Sequence, residues 1–317
     1  MTTQPSPTLN EGLKTLSIVI VNWNTRELLK KCLASIYSYP PPGSFEIWVV
    51  DNASSDGSVE MVKKDFPEVN LIENRHNPGF AGANNQAIRQ SHAEFVLLLN
   101  PDTEVLPEAL KTMVAFMRAS PKVGASGSRV LNPDKTLQTS CYPFPTLFRE
   151  FWRLFHFDVL WPYGVYDMHT WPTNTPRKTD VLLGAFILVR KEVIDQIGLM
   201  SEDYFMYTEE VDWCYRIKKN NWENYWVPTA QIIHYGGQST SQVSRQMFIH
   251  LYKSKVLYFK KHYGSLSAGV YKIILLMAAL LRLALSPFAI LFDSPSRKEH
   301  LELAHNYRQL VKVLFSQ

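Results

Sequence analysis

The fold of this chain is decided by residues 95–104, FVLLLNPDTE. Five apolar residues run directly into Asn100, Pro101 and Asp102, and a short apolar run that a proline stops is typical of a buried β-strand. The turn after this strand places the Asp102 carboxylate at the carboxyl edge of the predicted sheet, where ligands bind in open α/β folds. Such a carboxylate is a ligand for Mg²⁺ or Mn²⁺. Asn-Pro-Asp is also ordinary turn chemistry, so this stretch by itself leaves both interpretations open.

Length and composition are typical of one large globular domain, alone or with an appendage. The chain has 317 residues, of which 46% are hydrophobic and 20% are charged, and this is sufficient for a large core. Its three cysteines, Cys32, Cys141 and Cys214, lie far apart without a metal-binding spacing, which suits a reducing cytosol. Residues 1–14 are polar and contain prolines, so we expect a disordered lead-in and no signal peptide.

Strand-like and helix-like segments alternate along the first part of the chain, which predicts an α/β fold. The predicted strands are 16–22, 46–51, 69–73 and the run that ends at Asn100, and the predicted helices are 26–37, 58–65, 79–90 and 107–119. This order favours a doubly wound, mainly parallel sheet flanked by helices. The later elements are a strand over 181–189, helices over 191–197, 209–219 and 242–263, and short strands over 224–227 and 231–235. We expect one domain over residues 15–242.

A basic and apolar tail follows at residues 243–317. It contains eleven Lys or Arg and three Asp or Glu, whereas residues 1–242 are net acidic. Its most apolar segment is 266–292, but the uninterrupted part, 273–281, is shorter than the ~20 residues that span a membrane. An interfacial pair of short helices or a re-entrant hairpin therefore fits, with basic residues near anionic headgroups. The alternative is a soluble helical hairpin that caps the domain or forms a dimer contact.

Two further segments follow predicted strands with residues that suit a nucleotide. In VDNASSDGS at 50–58, Asp51 ends a strand and is placed to accept hydrogen bonds from a nucleobase or ribose. In NPGFAGANN at 77–85, glycines enter a helix, where free N–H groups suit an anionic diphosphate. Plain helix capping explains the first segment as well, and the glycines match neither a Walker nor a Rossmann spacing.

Three carboxylates lie within four residues of the segment DYFMYTEEVDWCYR at 203–216. Thr208 is a candidate N-cap and acidic residues suit a helix N-terminus, so a structural role is a sound alternative. Arg216 lies four residues after Asp212 and is placed to pair with it. Glu209 and Glu210 are then the freer candidates for a general base.

In this order the motifs resemble glycosyltransferase family 2, and in particular the rhamnosyltransferase-like branch that builds bacterial surface polysaccharides. The resemblance covers about residues 16–263. It implies a GT-A fold and an inverting transfer of a sugar, for example rhamnose, from a nucleotide-diphosphate donor. It also implies a glycan or polyprenyl-linked acceptor. Together with the tail, it places the chain in the cytoplasm, peripherally on the inner face of the plasma membrane. No nucleic-acid partner is expected, and a homodimer stays open.

The resemblance also assigns roles to individual residues. Asp51 matches the residue that holds the nucleoside. Asp102 matches the metal-binding acid of an Asp-x-Asp motif, in which Asn100 stands here in place of the first Asp. His234, at the end of a predicted strand, matches a position that supplies a further metal ligand in some members. A lone histidine is, however, more often structural. Glu210 matches the catalytic base, a position where Asp is common.

The remaining candidate residues surround these positions. The candidates for donor binding are Asn22, Asn24, Asn77, Gly79, Gly82, Asn84 and Asn100, and the further catalytic candidates are Glu209 and Asp212. Residues 134–180 are rich in Pro, Trp, Phe and Tyr and show no periodicity. So long a loop in a compact domain is usually functional, and we expect it on the acceptor side.

Two other functions fit parts of the pattern. A nucleotidyltransferase also combines an α/β sheet, a nucleotide and Mg²⁺, and it would release pyrophosphate from a nucleoside triphosphate. A non-catalytic scaffold would keep a degraded glycosyltransferase fold to hold a partner at the membrane. The helix with Glu209, Glu210 and Asp212 argues against the first function, and the presence of the acids argues against the second.

Overall fold

The structure, a computed structural model, describes residues 13–238, 240–292 and 297–315. Strands and helices alternate in the first part of the chain. These elements are β1 (Lys14–Asn22), α1 (Arg26–Ser38), β2 (Phe45–Asp51), α2 (Ser58–Asp65), β3 (Asn70–Glu73), α3 (Gly79–Gln90), β4 (Ala93–Leu99), β5 (Thr103–Val105), α4 (Ala109–Ala119) and β6 (Val123–Leu131).

The second part contains shorter strands and longer helices. These elements are β7 (Cys141–Tyr142), α5 (Leu147–Leu154), β8 (Arg177–Thr179), β9 (Val181–Leu182), β10 (Phe186–Arg190), α6 (Lys191–Ile197), α7 (Glu209–Lys219), β11 (Glu223–His234), α8 (Ser244–Phe292) and α9 (Arg297–Phe315). The predicted lead-in lies outside the described residues up to residue 12, and Lys14 already pairs with Ala93 as part of β1.

The central sheet has nine strands in the order β3-β2-β1-β4-β10-β6-β11-β5, with β8 paired to β11. β1 to β4 are parallel, and β6 is parallel to β11. β10 lies antiparallel between β4 and β6. The predicted doubly wound, mainly parallel sheet flanked by helices is therefore confirmed, with an antiparallel strand inserted at its centre.

Strand β4 is buried on both faces, which explains its continuous apolar run. Phe95, Leu97 and Leu99 pack with α1, α2 and α4 on one face of the sheet. Val96 and Leu98 pack with α3, α6 and α7 on the other face. Because β1 and β2 run parallel to β4, their carboxyl ends lie along the same edge as the end of β4.

Residues 134–180 contain more regular secondary structure than the predicted loop. They include β7, α5, two short 3₁₀ turns and β8, and β7 pairs with β9 beside the main sheet. The predicted strand over 181–189 is two strands, because residues 183–185 leave the sheet and line a cavity. The two short strands predicted at 224–235 are one strand, β11, with an irregularity between Val227 and Gln231.

Strand β6 was missed because its sequence, VGASGSRVL, lacks an apolar run. Its small residues are required by packing instead. A Cβ on Gly124 would lie 2.8 Å from Trp222 Cβ, and a Cβ on Gly127 would lie 2.8 Å from Leu182 Cδ2. The close approach of these larger side chains selects glycine at both positions.

The apolar tail differs from the predicted pair of short helices or re-entrant hairpin. Helix α8 is interrupted at Gly264, which has a φ of +85°, and then continues without a break through Lys272 and Arg282. Arg282 does not end the helix because arginine is a good helix former, and its guanidinium donates a hydrogen bond to the Leu154 carbonyl. By length and composition, residues 244–287 are sufficient to cross a membrane, and 28% of their most apolar part is buried.

Helix α9 covers one face of this apolar stretch. Tyr271, Leu275 and Ala279 of α8 are buried against Tyr307 and Leu310 of α9. The opposite face of α8 exposes large apolar side chains at helical spacing, namely Leu266, Val270, Ile273, Met277, Leu280 and Leu285. The tail is therefore a helical pair with one covered face and one exposed apolar face.

Candidate active site

A cavity of about 350 Å³ lies at the carboxyl edge of the sheet. We call it the acid cavity. It is lined by Asn100, Asp102 and His234, which lie close together, and by Glu209 and Glu210. Its other lining residues are Phe80, Pro101, Leu183, Gly184, Ala185, Met206, Tyr207, Gly237 and Gln238. Three segments that are distant in sequence thus bring the predicted metal ligands and the predicted acid pair to one place.

Asp102 and His234 form the first group of the acid cavity. His234 Nε2 lies 3.3 Å from Asp102 Oδ1, and the pairing of β5 with β11 sets His234 opposite Thr103. Gln138 Oε1 lies 2.6 Å from His234 Nδ1. Because an amide oxygen only accepts, this contact assigns a proton to Nδ1. Asn100 Nδ2 is 3.4 Å from the same Nε2.

This donor set fits a divalent cation that is bound together with a substrate. A carboxylate oxygen and an imidazole nitrogen converge, and a hydrogen bond from the second ring nitrogen to Gln138 orients the imidazole, as is usual for histidine ligands. Within 13–238, 240–292 and 297–315, no group of three or more His, Cys, Asp or Glu could hold a metal ion. The remaining ligands would therefore come from water or from the oxygens of a bound diphosphate.

Glu209 and Glu210 form the second group, at the first turn of α7. Glu209 is buried, and its Oε2 has no hydrogen-bond partner in the described structure. Burial raises the pKa of Glu209 well above its usual value, and the nearby charge of Glu210 raises it further. Burial also raises the pKa of Glu210, which keeps part of its surface open to the cavity. Such raised values are common at functional sites.

The turn that precedes this acid pair is strained. Tyr207 and Thr208 have φ values of +66° and +75°, and a non-glycine residue in this region costs about 1–3 kcal/mol. In this conformation the Thr208 side chain makes no capping hydrogen bond to α7, so the predicted N-cap interaction is wrong. The strain places Tyr207 and the acid pair together on the cavity wall.

Asp212 lies apart from the cavity and is fully engaged in ion pairs. Arg216 Nε is 2.8 Å from Oδ2, which confirms the predicted pair, and His262 Nε2 is 2.8 Å from Oδ1. Burial raises the pKa of Asp212, but the hydrogen bond from His262 and the charge of Arg216 outweigh it, and the pKa is lowered overall. The structure therefore corrects the assignment of Asp212 as a catalytic candidate, because its carboxylate faces these partners.

A second cavity of about 280 Å³ adjoins the first, with Phe80 and Met206 lining both. We call it the side cavity. Its other lining residues are Val21, Trp23, Asn52, Asn77, Phe205, Val243, Gln246 and Met247. Asn77 was a predicted donor-binding residue. Trp23 and the start of α8 were not predicted, because neither carries a motif that the sequence alone makes visible.

Asp51 and its neighbours form a buried network beside the side cavity. Asn22 Nδ2 donates to Asp51 Oδ1 at 2.8 Å, and the Ser54 backbone N–H donates to Oδ2 at 2.8 Å. Asn24 accepts a hydrogen bond from the Ser55 N–H at 2.8 Å. Asn22, Asn24 and Asp51 are therefore brought together at the ends of β1 and β2, where they shape the turn that carries Asn52 into the side cavity.

The glycine segment at the start of α3 has a structural role that differs from the prediction. The Gly79 N–H donates to Asn77 Oδ1 at 2.9 Å, and the Phe80 N–H donates to the Phe205 carbonyl at 3.0 Å. Gly82 packs on Pro78. These contacts use the first N–H groups of the helix within the protein. The Gly79 N–H is thus engaged with Asn77 in this structure, and its binding of a diphosphate stays a prediction.

Asn84 is likewise engaged within α3. It is buried, and its Nδ2 donates to the Phe80 carbonyl at 2.9 Å. Gln138, which orients His234, was missed because it lies in the aperiodic segment and no spacing relates it to His234.

This chain is similar to known proteins in sequence and in fold. The family model described as glycosyl transferase family 2 matches residues 17–198. The chain belongs to this family. Membership of family 2 argues against the nucleotidyltransferase alternative.

Two curated relatives of this family 2 chain are named as a rhamnosyltransferase and a hexosyltransferase. An N-acetylglucosaminyl-diphospho-decaprenol L-rhamnosyltransferase of Mycobacterium tuberculosis is 27% identical over 246 residues, which cover 72% of this chain and 78% of the relative. The low-salt glycan biosynthesis hexosyltransferase Agl10 of Haloferax volcanii is 30% identical over 214 residues, which cover 66% of this chain and 63% of the relative. The predicted resemblance to the rhamnosyltransferase-like branch is thereby confirmed.

Two solved structures share the fold of the family 2 chain. A mannosyltransferase from Pyrobaculum calidifontis in complex with GDP-Man and Mn²⁺ has a TM-score of 0.55 at 19% identity, over 95% of this chain and 86% of the other. TarS of S. aureus, residues 1–349, has a TM-score of 0.51 at 15% identity, over 93% and 91%. The predicted GT-A fold is confirmed.

We expect Gly79→Ala to destabilise the protein by about 1–3 kcal/mol. Gly79 has a φ of +83°, and an added Cβ would lie 2.3 Å from the Phe205 carbonyl oxygen. Urea unfolding measures the loss. Gly269→Ala is the matched control, since its Cβ would meet nothing within 4 Å in helix α8. Equal free energies of unfolding for the two variants would contradict a required close approach at Gly79.

Proposed function

We propose that this family 2 glycosyltransferase moves a sugar, for example rhamnose, from a nucleotide-diphosphate donor to an acceptor hydroxyl, with inversion at the anomeric carbon. The observation that carries this proposal is the acid cavity. The cavity is lined both by Asp102 with His234 and by Glu209 with Glu210. A displacement that inverts the anomeric carbon needs charge neutralisation on the leaving-group side and a base on the opposite side.

Charge on the leaving group is the first requirement. Among the described residues that line the acid and side cavities there is no Lys or Arg, so neutralisation by a basic side chain is absent from these walls. Asp102 and His234 would hold a divalent cation, Mg²⁺ or Mn²⁺, which when bound supplies positive charge to the diphosphate. The GDP-Man and Mn²⁺ in the Pyrobaculum calidifontis structure are consistent with this assignment.

Removal of the acceptor proton is the second requirement. Glu210 accepts this proton as the acceptor oxygen bonds to the anomeric carbon and the bond from that carbon to the diphosphate breaks. The pKa of Glu210 is raised towards the range in which a general base is effective. Burial raises the pKa of Glu209, whose Oε2 has no partner, well above its usual value, and in its protonated form this group would donate a hydrogen bond within the cavity.

The side cavity accommodates the nucleoside of the donor. Asn52 and Asn77 offer amide groups, Trp23 offers an aromatic ring, and Phe80 connects this space to the acid cavity. The Asn52 side chain donates to Asn77 Oδ1 at 3.1 Å. An apolar cavity with a few placed amides is typical of nucleoside recognition. Asp51 acts here by orienting the turn that carries Asn52.

The acceptor is a glycan or polyprenyl-linked saccharide, and the protein acts peripherally at the cytoplasmic face of the membrane. The Mycobacterium tuberculosis relative carries N-acetylglucosaminyl-diphospho-decaprenol in its name. The exposed apolar face of α8 between Leu266 and Leu285 is about 29 Å long at 1.5 Å per residue. The basic excess of residues 243–317 favours contact with anionic headgroups.

Glu210→Gln should lower the transfer rate by about 10²–10⁴-fold with unchanged donor binding, because the base is lost while the cavity shape is kept. Transfer is measured with UDP-, GDP- and dTDP-sugars, and donor affinity by calorimetry. Glu192→Gln, at an exposed acid on α6, is the matched control and should keep full activity.

The pH profile gives a second measurement of the same group. A raised carboxyl pKa keeps the proton on Glu210 to a higher pH, so the wild-type rate should increase with pH through an apparent pKa above the ordinary value of 4.5. Full activity in the Glu210→Gln variant would assign the base to another residue. No transfer by the wild-type protein from any donor would favour the scaffold alternative.

Asp102→Asn should weaken Mn²⁺-dependent binding of the donor by about 10-fold or more, because a charged oxygen ligand is replaced by a neutral one. Calorimetry with and without Mn²⁺ measures this difference. Asp158→Asn, in the segment after α5, is the control and should leave the Mn²⁺ dependence intact. Equal affinities with and without Mn²⁺ in the wild-type protein would contradict the proposed cation site.

Vesicle flotation tests the membrane surface. The full chain should bind vesicles that contain anionic lipid more tightly than neutral vesicles, and salt should weaken this binding. Replacing Ile273 and Met277 together by Ser should reduce binding by about 10-fold, since each exposed side chain loses apolar area. Leu13→Ser, at an exposed apolar residue outside the tail, should have no effect. Equal binding by all three proteins would refute this surface.

A further inference from the structure

Helix α8 contacts the catalytic turn directly, in addition to carrying the apolar tail. Ser254 Oγ donates to the Met206 carbonyl at 3.0 Å. Lys261 Nζ lies 2.9 Å from Asp203 Oδ2 and 5.2 Å from the centre of the Tyr204 ring. These contacts span residues 203–206, which lead into the strained turn and the acid pair.

The most buried of these contacts joins α8 to α7. His262 Nε2 lies 2.8 Å from Asp212 Oδ1, and both side chains are more than nine-tenths buried. Arg216 holds the second oxygen of the same carboxylate, and its guanidinium also donates to the Ile197 and Leu199 carbonyls at the end of α6. Asp212 and Arg216 of α7 therefore connect α8 with the end of α6 by hydrogen bonds.

Asp212 is well placed to control the acid pair. It lies two residues after Glu210, and its backbone N–H donates to the Thr208 carbonyl at 2.8 Å. Because Tyr207 and Thr208 adopt costly left-handed conformations, the surrounding structure must hold them in place. Aromatic rings enclose His262 on its other sides, with the Tyr215 ring centre 4.4 Å away and the Tyr258 ring centre 4.8 Å away.

We propose that His262 is a positioning residue, which fixes the first turn of α7, and with it Glu209 and Glu210, by holding Asp212 from helix α8. This inference rests on the proposed function for its consequence in catalysis. It makes the first half of α8 a part of the catalytic domain and not a linker to the tail. His262 is not among the residues that line the acid cavity, and its hydrogen bond is to Asp212.

The test compares His262→Leu with His262→Gln. Leu removes the hydrogen-bond donor, whereas Gln keeps an N–H donor at a similar reach. We expect His262→Leu to lower kcat by about 10–100-fold, the size of effect that a small misplacement of a catalytic group produces. The KM for the donor should stay within about twofold, since the side cavity is built mainly from other elements, and His262→Gln should restore most of kcat.

A readout that is independent of activity separates this inference from the proposed function. Amide hydrogen exchange in residues 206–212 should become faster in His262→Leu and stay near the wild-type rate in His262→Gln. His305→Leu, at an exposed histidine of α9 that contacts Gln309, is the matched control and should change neither exchange nor kcat.

Three outcomes would overturn the positioning role. The first is an unchanged exchange rate in His262→Leu, and the second is an unchanged kcat in that variant. The third is that His262→Leu and His262→Gln lose kcat and thermal stability to the same extent. An inactive wild-type protein whose exchange responds to His262→Leu, but not to His262→Gln, would instead refute the proposed function and leave the positioning role supported.

Discussion

The active edge of this glycosyltransferase depends on the burial of β4 on both faces of the sheet. Its apolar side chains alternate between two layers of helices, and neighbouring strands pair with it on each side. A strand held in this way ends at a defined place, and the turn after it places Asp102 at the carboxyl edge of the sheet. The parallel strands β1 and β2 end at the same edge, so the polar turns that follow these strands lie close together.

The antiparallel pairings of β10 and β11 position the other parts of the acid cavity. β10 inserts beside β4, and residues 183–185 before it form part of the cavity wall. β11 pairs with β5 and sets His234 beside Asp102. The proposed metal-binding pair is thus a product of strand register, and a shift of one residue in β11 would turn His234 to the opposite face.

The acid pair is held by a different kind of constraint. The turn at Tyr207 and Thr208 is strained, Glu209 is buried without a partner for one oxygen, and two carboxylates share one wall. Each feature is locally unfavourable, and together they are maintained by contacts from α6 and α8. Local strain supported by a well-packed surrounding is a common property of functional sites. Here the supporting contacts converge on Asp212 and its partners Arg216 and His262.

Sequence patterns predicted the regular elements well where local signals were strong. The bounds of α2, α3, α6 and α7 agree with the prediction, because each helix has a clear apolar period and end signals. Strand β6 was missed because packing against Trp222 and Leu182 selects small residues in place of an apolar run. The glycines of α3 were assigned to a ligand, and the structure shows in addition that Gly79 allows the close approach of the Phe205 carbonyl.

The sequence by itself determined the α/β class, the family, and the residue types that reach the sheet edge, because these follow from local periodicity and from motifs a few residues long. Only the tertiary structure decided which carboxylates are free. It engages Asp212 with His262 from 50 residues away, pairs Asp102 with His234, and leaves Glu210 on the cavity wall. Such pairings depend on strand register and helix packing, and no local pattern encodes them.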